Sequence, residues 1–480
     1  MTTHDAAGDP RRWLALPVLL IGAFLPPLDF FIVNVALPSI RTALHTSAAQ
    51  LQFVISAYSA IYAVFLITGG RLGDLFGRRR MFLLGITGFT LASLLCGLAW
   101  SPHALLAGRM LQGIAAAALA PQVLASIRVM FPAAEQPIAL GLYAATFGMA
   151  ATLGQLLGGV LISAHWWGLS WQLIFLVNLP VGILALIGGA WLLRESRATQ
   201  AMRLDLGGVG LLSLALGLLV YPLVEGREQG WPAWTYVMLA ASLSMFAIFF
   251  RFEARVARRG GTPLIDVQLF RHGDFSLGIL ITLGFYLTSA FFLTYAVYLQ
   301  SGLQRTALET GLATLPFTLG YFVGSMSAAP LMNKLEHRAL PLSCACQAWG
   351  FGIAVAAVTH AIPEALLIPG LVIAGLGFGI AMPSLMRVVI SGVDTRHAGL
   401  ASGMVITALQ ISAALGVAII GGVFYSVLGE RTGEEAYAHA FTVGLGCNVA
   451  ALVLNTLLSL ALGRAKTAVA APIPATARQH

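Results

Sequence analysis

Fourteen long apolar runs, separated by short polar connections, fill most of this 480-residue chain and leave it few folds to choose from. They fall at 13–38, 51–71, 81–100, 103–129, 138–163, 171–194, 206–224, 231–251, 275–299, 308–332, 339–359, 364–389, 398–424 and 437–462. About 20 apolar residues cross a bilayer as a helix, and a helix satisfies its own backbone hydrogen bonds in hydrocarbon. The pattern predicts an all-α integral membrane protein, a bundle of 14 transmembrane helices. Charged residues make up 10% of the chain, against about 25% in soluble domains. The first run is too long for the apolar core of a signal peptide and lacks a small-residue cleavage site, so it reads as a retained span.

An even number of spans puts both termini on one side, and charge chooses the side. With the N-terminus cytoplasmic, the inner segments carry 22 Lys/Arg and the outer loops four: Arg41, Arg227, Arg305 and Arg431. Positive residues concentrate on the cytoplasmic side of membrane proteins, so both termini are expected there. Lys occurs twice against 25 Arg, a usage that suggests a GC-rich bacterial genome and hence a bacterial inner-membrane protein. The positive charge is scattered over short loops and forms no stripe for nucleic acid. Cys344 and Cys346, two apart on a helix, face different ways, and the histidines lie in loops, in tails or at span ends (His103, His439), so no metal site is indicated. The longest inner connection, Phe252–Asp274, reads either as a solvated linker or as a short amphipathic segment at the membrane interface.

Ionised side chains within the hydrocarbon cost at least ~2.5 kcal/mol each and are rarely idle. The chain places two deep in its spans, Asp29 and Arg109. At 1.5 Å per residue, Asp29 lies roughly 24 Å along an outward-running helix and Arg109 roughly 9 Å below the outer end of an inward-running one. Both fall at similar depth in the outer half, so a pair is geometrically allowed. Burial favours the neutral acid and a nearby cation favours the carboxylate, so a changing distance to Arg109 would load and unload a proton on Asp29. A permanent structural ion pair is the plainer alternative.

Several segments carry a family resemblance. Gly70-Arg-Leu-Gly-Asp74-Leu-Phe-Gly77-Arg78-Arg79-Arg80, between spans two and three, resembles the signature loop of the major facilitator superfamily. Leu28-Asp29-Phe-Phe-Ile-Val-Asn34-Val-Ala-Leu37-Pro38 resembles the first-span motif of that superfamily's fourteen-span drug:proton antiporters. Arg109-Met-Leu-Gln112-Gly113 is similar to the fourth-span motif, and Gly154-Gln155-Leu-Leu-Gly158-Gly159 to the fifth-span antiporter motif. Trp171-Gln172-Leu-Ile-Phe175-Leu-Val-Asn178-Leu-Pro180-Val-Gly182 is similar to a sixth-span signature. Two positions depart from the family pattern: Gln155 stands where Pro is usual, and Gln172 where Arg is usual. The first bears on whether exchange is the coupling mode.

The resemblance covers nearly the whole chain and implies a secondary active transporter, not an enzyme, driven by the proton gradient without any cofactor. It implies proton coupling at Asp29 with Arg109, and a cytoplasmic gate in which Asp74 clamps a conformational state through Arg128. A worn copy of the loop, aligning Asn333 with Asp74 and Arg338 with Arg79, points to two related six-span halves at 13–194 and 275–462. Between them would lie two inserted helices (206–251) and a cytoplasmic linker (252–274), with a cytoplasmic tail at 463–480. Related halves place the substrate site near the midplane between them. Candidates to line it are Tyr58, Tyr62, Phe285, Tyr286, Phe291, Phe292, Tyr295, Tyr298, Phe317, Tyr321 and Gln410, with packing or lipid-facing roles as the alternative for each. An aromatic pocket with one acid suits lipophilic cations and amphiphiles. The expected partners are a small lipophilic substrate, protons and lipid, with the protein a monomer. The expected function is proton-coupled efflux of drugs; the alternative is export of one endogenous metabolite, siderophore or lipid precursor.

Overall fold

The computed structural model describes residues 9–132, 134–198, 204–360, 367–390 and 398–470. Among them, fourteen helices are long and apolar enough to cross a membrane. In chain order they are α1 (Arg12–Leu44), α2 (Ala48–Phe76), α3 (Arg78–Gly97), α4 (Pro102–Met130), α5 (Ile138–Ala164), α6 (Leu173–Leu192) and α7 (Leu206–Glu228). There follow α8 (Ala233–Arg258), α9 (Gly273–Gly302), α10 (Ala307–Leu335), α11 (Ala339–Thr359), α12 (Leu367–Val389), α13 (Ala401–Leu428) and α14 (Glu434–Leu462). The last continues helically to Ala470, and 471–480, the rest of the expected tail, lie outside the described residues. We call the end of the bundle bearing residue 9 and the α2–α3 connection the terminal end.

Local chemistry sets many helix starts. Ser47 and Gln50 form a reciprocal cap on α2, and Thr306 and Glu309 form the same cap on α10. Ser101 caps α4 and Asp205 caps α7. Prolines 26 and 27 sit inside α1, and the Pro26 carbonyl accepts the Tyr58 hydroxyl at 3.1 Å. α9 is interrupted midway by a 3₁₀ turn at Leu287–Ser289. α13 carries a π turn at Val417–Gly421, a distortion that the apolar pattern does not encode.

The first six helices pack on one another and so do the last six. Two seams join the groups: α5 against α10, and α2 against α13. The α5 seam is built on glycine. Gly154 and Gly158 lie against α1, at Phe31, Ile32 and Val35, while Gly159 faces the backbone of Ala307 and Leu308 on α10. A Cβ on Gly159 would stand 2.7 Å from the Ala307 carbonyl oxygen and 2.8 Å from the Leu308 Cα. Gly375 and Gly379 of α12 likewise lie against the α10 backbone at Phe317 and Tyr321. Gly159→Val is therefore expected to push α5 and α10 apart, lowering the melting temperature in detergent by the equivalent of about 1–3 kcal/mol. An unchanged melting temperature would show that the seam is looser than described.

The 252–274 connection follows neither of its two expected courses. α8 continues through it to Arg258, and Leu264, Ile265 and Leu269 turn inward against Val209, Leu212 and Phe249 of α7 and α8. These side chains find protein partners that a sequence pattern for a membrane-surface helix does not anticipate.

Candidate functional site

Asp29 and Arg109 meet in direct contact, both with 0% exposure. Five helices, α1, α2, α3, α4 and α6, supply the pair and its surroundings. Gln112 Nε2 donates to Asp29 Oδ1 at 3.0 Å, and Asn178 Nδ2 from α6 donates to the same oxygen at 3.1 Å. Both amides also donate to Ser93 Oγ of α3, at 2.9 and 3.2 Å. Arg109 donates through Nε to the Val54 carbonyl at 2.9 Å and through Nη1 to Gln112 Oε1 at 2.8 Å. Its guanidinium lies over the Tyr58 ring, 4.3 Å from the centroid. Arg109 and Gln112 are three residues apart on α4, which puts both on the face toward α1.

Removing two charges from water costs several kcal/mol per ion, and a close pair with every lone pair bonded offsets much of that. Here neutral amides bond Asp29 and no second carboxylate enters the site, while Arg109 Nη2 is buried without an acceptor among the described residues. Ser93 and Asn178 were not among the sequence candidates for the site. Asn178 stands within the quoted sixth-span segment, but nothing in the spacing says that it reaches α1; Ser93 carries no sequence signal.

The other motif residues have different neighbours. Asn34 turns back to its own helix, donating to the Phe30 carbonyl at 2.7 Å. Gln155, at the position where the family usually has Pro, donates to the Phe31 carbonyl at 3.1 Å and so ties α5 to α1 two residues from Asp29. A side chain on Gly113 would press on Tyr58 and Ile61 of α2.

In the signature loop, Gly77 has φ +113°, a conformation that glycine alone adopts freely. It separates α2 from α3, and a Cβ there would also run into Glu195. The carboxylate of Glu195, just past α6, accepts from the backbone N–H groups of Arg79 (3.2 Å) and Arg80 (3.3 Å), capping α3 from outside. Asp74 pairs with Arg78 at 3.0 Å, one helical turn on. Arg128 is exposed at the end of α4 and takes no part in this pair, so the clamp expected between Asp74 and Arg128 is not formed in this conformation. Gly70 packs on Pro121 of α4, and Arg79 Nη2 donates to the Ala190 carbonyl at 2.6 Å.

The candidate pocket residues divide into two sets. Tyr58 and Tyr62 of α2 pack ring to ring at 6.0 Å and face Tyr286 of α9 across the two helix groups, while Tyr286 and Tyr321 of α10 both pack on Phe378, at 5.9 and 4.9 Å. Phe285, Phe291, Phe317 and Tyr295, in contrast, form the ring-packed interior of the last six helices. Phe291 stacks on Tyr295 at 5.1 Å, Phe285 on Phe378 at 5.1 Å, and Phe317 on Phe351 at 6.0 Å. For these, core packing is the role the structure supports. Tyr298 stacks on Phe441 at 4.9 Å, also within that group. Phe292 bridges the groups edge-on to Phe31, two residues from Asp29, at 4.9 Å. Gln410 is half-buried on α13. At the end opposite the termini, a cavity of about 1270 Å³ opens between α1, α5, α9, α10 and α14, lined by Arg41, His45, His165, Gln300, Arg305 and Glu434 among others.

Asp29 and Arg109 are not the only deeply buried charges. Glu253 is 0% and Arg71 4% exposed, at the terminal end of the bundle. The sequence ended span eight at 251 and so placed Glu253 in a linker; the helix carries it inward instead.

Fourteen membrane-capable helices, twelve of them in two packed groups of six, with a buried ion pair in one group and tyrosines between them, define a polytopic membrane transporter. The family model of the Major Facilitator Superfamily matches residues 19–265 and 275–477, and the chain belongs to that family. It is 37% identical over 434 residues to a probable actinorhodin transporter of Streptomyces coelicolor, covering 89% of this chain and 75% of that one. It is 35% identical over 477 residues to the puromycin resistance protein pur8 of Streptomyces alboniger, covering 96% and 93%. Among solved structures, a bacterial homolog of the human lysosomal transporter Spinster superposes with a TM-score of 0.66 at 17% identity, covering 95% of this chain and 98% of that one.

Proposed function

We propose that the protein exports lipophilic, cationic or amphipathic small molecules in exchange for protons, from the cytoplasm of a bacterium across its inner membrane, with both termini inside. One observation carries this reading: a lone carboxylate, sealed from water, is balanced by one guanidinium and held by neutral amides. Such a group exchanges its cation for a proton when the helices around it shift. Tyr58 connects this pair to the space between the helix groups, since its ring lies on Arg109 and packs against Tyr62 at 6.0 Å. A cargo displacing the tyrosines would therefore disturb the ion pair directly. Rocking of the two groups about the α5–α10 and α2–α13 seams would open the space to either side in turn. The relatives named for resistance to puromycin and for actinorhodin transport support efflux of small-molecule drugs. A name that specifies one compound also favours a variant reading in which the cargo is one endogenous metabolite.

The reading is tested in everted membrane vesicles holding the protein and a pH-sensitive dye. Addition of an aromatic cation such as ethidium is expected to release protons from energised vesicles, and collapse of the pH gradient is expected to stop cargo uptake. Uptake that continues undiminished without the gradient would leave a uniporter.

A further inference from the structure

The terminal end of the bundle holds a second acid-bearing cluster that the Asp29 reading does not use. Asp205 begins α7, and its Oδ1 accepts the Gly208 N–H at 2.8 Å. Glu253, on α8, accepts the Ile265 N–H through Oε2 at 3.0 Å, fastening the connection that follows α8. Arg71 of α2, the second residue of the signature loop, donates through Nη1 to the Thr262 carbonyl at 3.0 Å and through Nη2 to that of Pro263. The strap 262–265 is thus gripped by α8 on one side and by α2 on the other.

The two remaining carboxylate oxygens, Asp205 Oδ2 and Glu253 Oε1, are buried and meet no donor among the described residues. They converge on one point: a Cβ on Gly208 would touch Glu253 Oε1 and stand 3.0 Å from Asp205 Oδ2. The two carboxyl groups are within hydrogen-bonding reach of each other. Two carboxylates cannot hydrogen-bond; a carboxyl and a carboxylate can, through one proton. That proton satisfies both orphaned oxygens at once and leaves a single negative charge to face Arg71.

We propose that Asp205 and Glu253 form a second proton-binding site, whose shared proton locks the 262–265 strap and the inserted helices α7 and α8 onto the signature-loop helix α2. Among the described residues, the charged groups facing Glu253 from the elements packed on it are Asp205 of α7 and Arg71 of α2. The strap contributes backbone, with Asp266 turned to cap Gln268, and α9, α12 and α13 contribute apolar side chains there. On α8 itself, Arg251 and Arg255 are exposed. Loss of the proton sets two carboxylates against one another over Gly208, and the strap lets go. The lock closes as pH falls and opens as it rises. It shares no residue with the Asp29 network, and the two stand or fall separately.

Hydrogen–deuterium exchange of the full chain in lipid nanodiscs tests this at the 262–266 amides, after correction for intrinsic exchange. Protection in the wild type is expected to fall roughly tenfold from mildly acidic to mildly alkaline pH as the lock opens. Glu253→Gln supplies an oxygen for Ile265 and an N–H for Asp205 without a titrating proton, so its protection is expected to be high and independent of pH. Asp205→Asn is expected to behave the same way and serves if the first variant folds poorly. Glu253→Ala is expected to lose protection at every pH. Wild-type protection that ignores pH, or amide variants that lose protection in step with the wild type, would overturn the proposal.

Discussion

Asp29→Asn is expected to abolish gradient-driven export while leaving a folded protein that still binds cargo. Asn keeps the size of the side chain and an oxygen for the Gln112 and Asn178 amides, so the packing of α1 against α3, α4 and α6 persists. What disappears is the group that takes up a proton. The initial rate of proton-coupled transport in everted vesicles should drop by at least about a hundredfold, corresponding to ~2.7 kcal/mol. Cargo binding at fixed pH, followed by intrinsic tryptophan fluorescence, should change little. If the variant pumps at the wild-type rate with the same pH dependence, Asp29 is a structural member of an ion pair and the coupling group lies elsewhere.

Arg109→Ala is expected to cost more stability than any other single change in the first six helices. It strands the Asp29 carboxylate in a site with 0% exposure and opens the space under the Tyr58 ring. Breaking a buried pair from one side costs roughly 3–5 kcal/mol, most of it the uncompensated charge left behind. Poor yield and a much lower melting temperature in detergent should follow. The sign of the double change separates charge from packing. In Arg109→Ala with Asp29→Asn the stranded charge is gone, and stability should recover by a large part of that loss. A double variant no more stable than Arg109→Ala would place the cost in lost packing against Tyr58 and Val54.

Much of the bundle is legible in the sequence because hydrocarbon imposes helix length and composition directly. Each of the fourteen apolar runs coincides with a helix to within a few residues, apart from overhangs at polar ends such as Arg41 and Arg258, where helical hydrogen bonding continues beyond the apolar stretch. Depth was legible as well: rise per residue alone set Asp29 and Arg109 at one level, and the structure brings them into contact. Partners that depend on helix rotation were not. Ser93, Asn178 and Glu195 are ordinary polar residues in one dimension and gain meaning only from the neighbours that α3 and α6 turn them toward. Glu253 was hidden for a related reason. Its flanking arginines mark a helix end, yet the strap folds back over that end and removes it from water. The same limit explains the aromatic candidates, since spacing puts Phe285, Phe292 and Tyr295 near one face of α9 but cannot say whether that face meets a cavity or other rings.

The Asp29 network draws its side chains from α1, α2, α3, α4 and α6, all in the first six helices, whereas Tyr286 and Tyr321 come from the last six. On the proposed function, the proton-coupling group and part of the cargo-facing surface are thereby lodged in separate stretches of the gene. Variation at Tyr286 and Tyr321 would then retune which compounds are accepted without touching Asp29, and recombination near the inserted helices would exchange one set while inheriting the other intact.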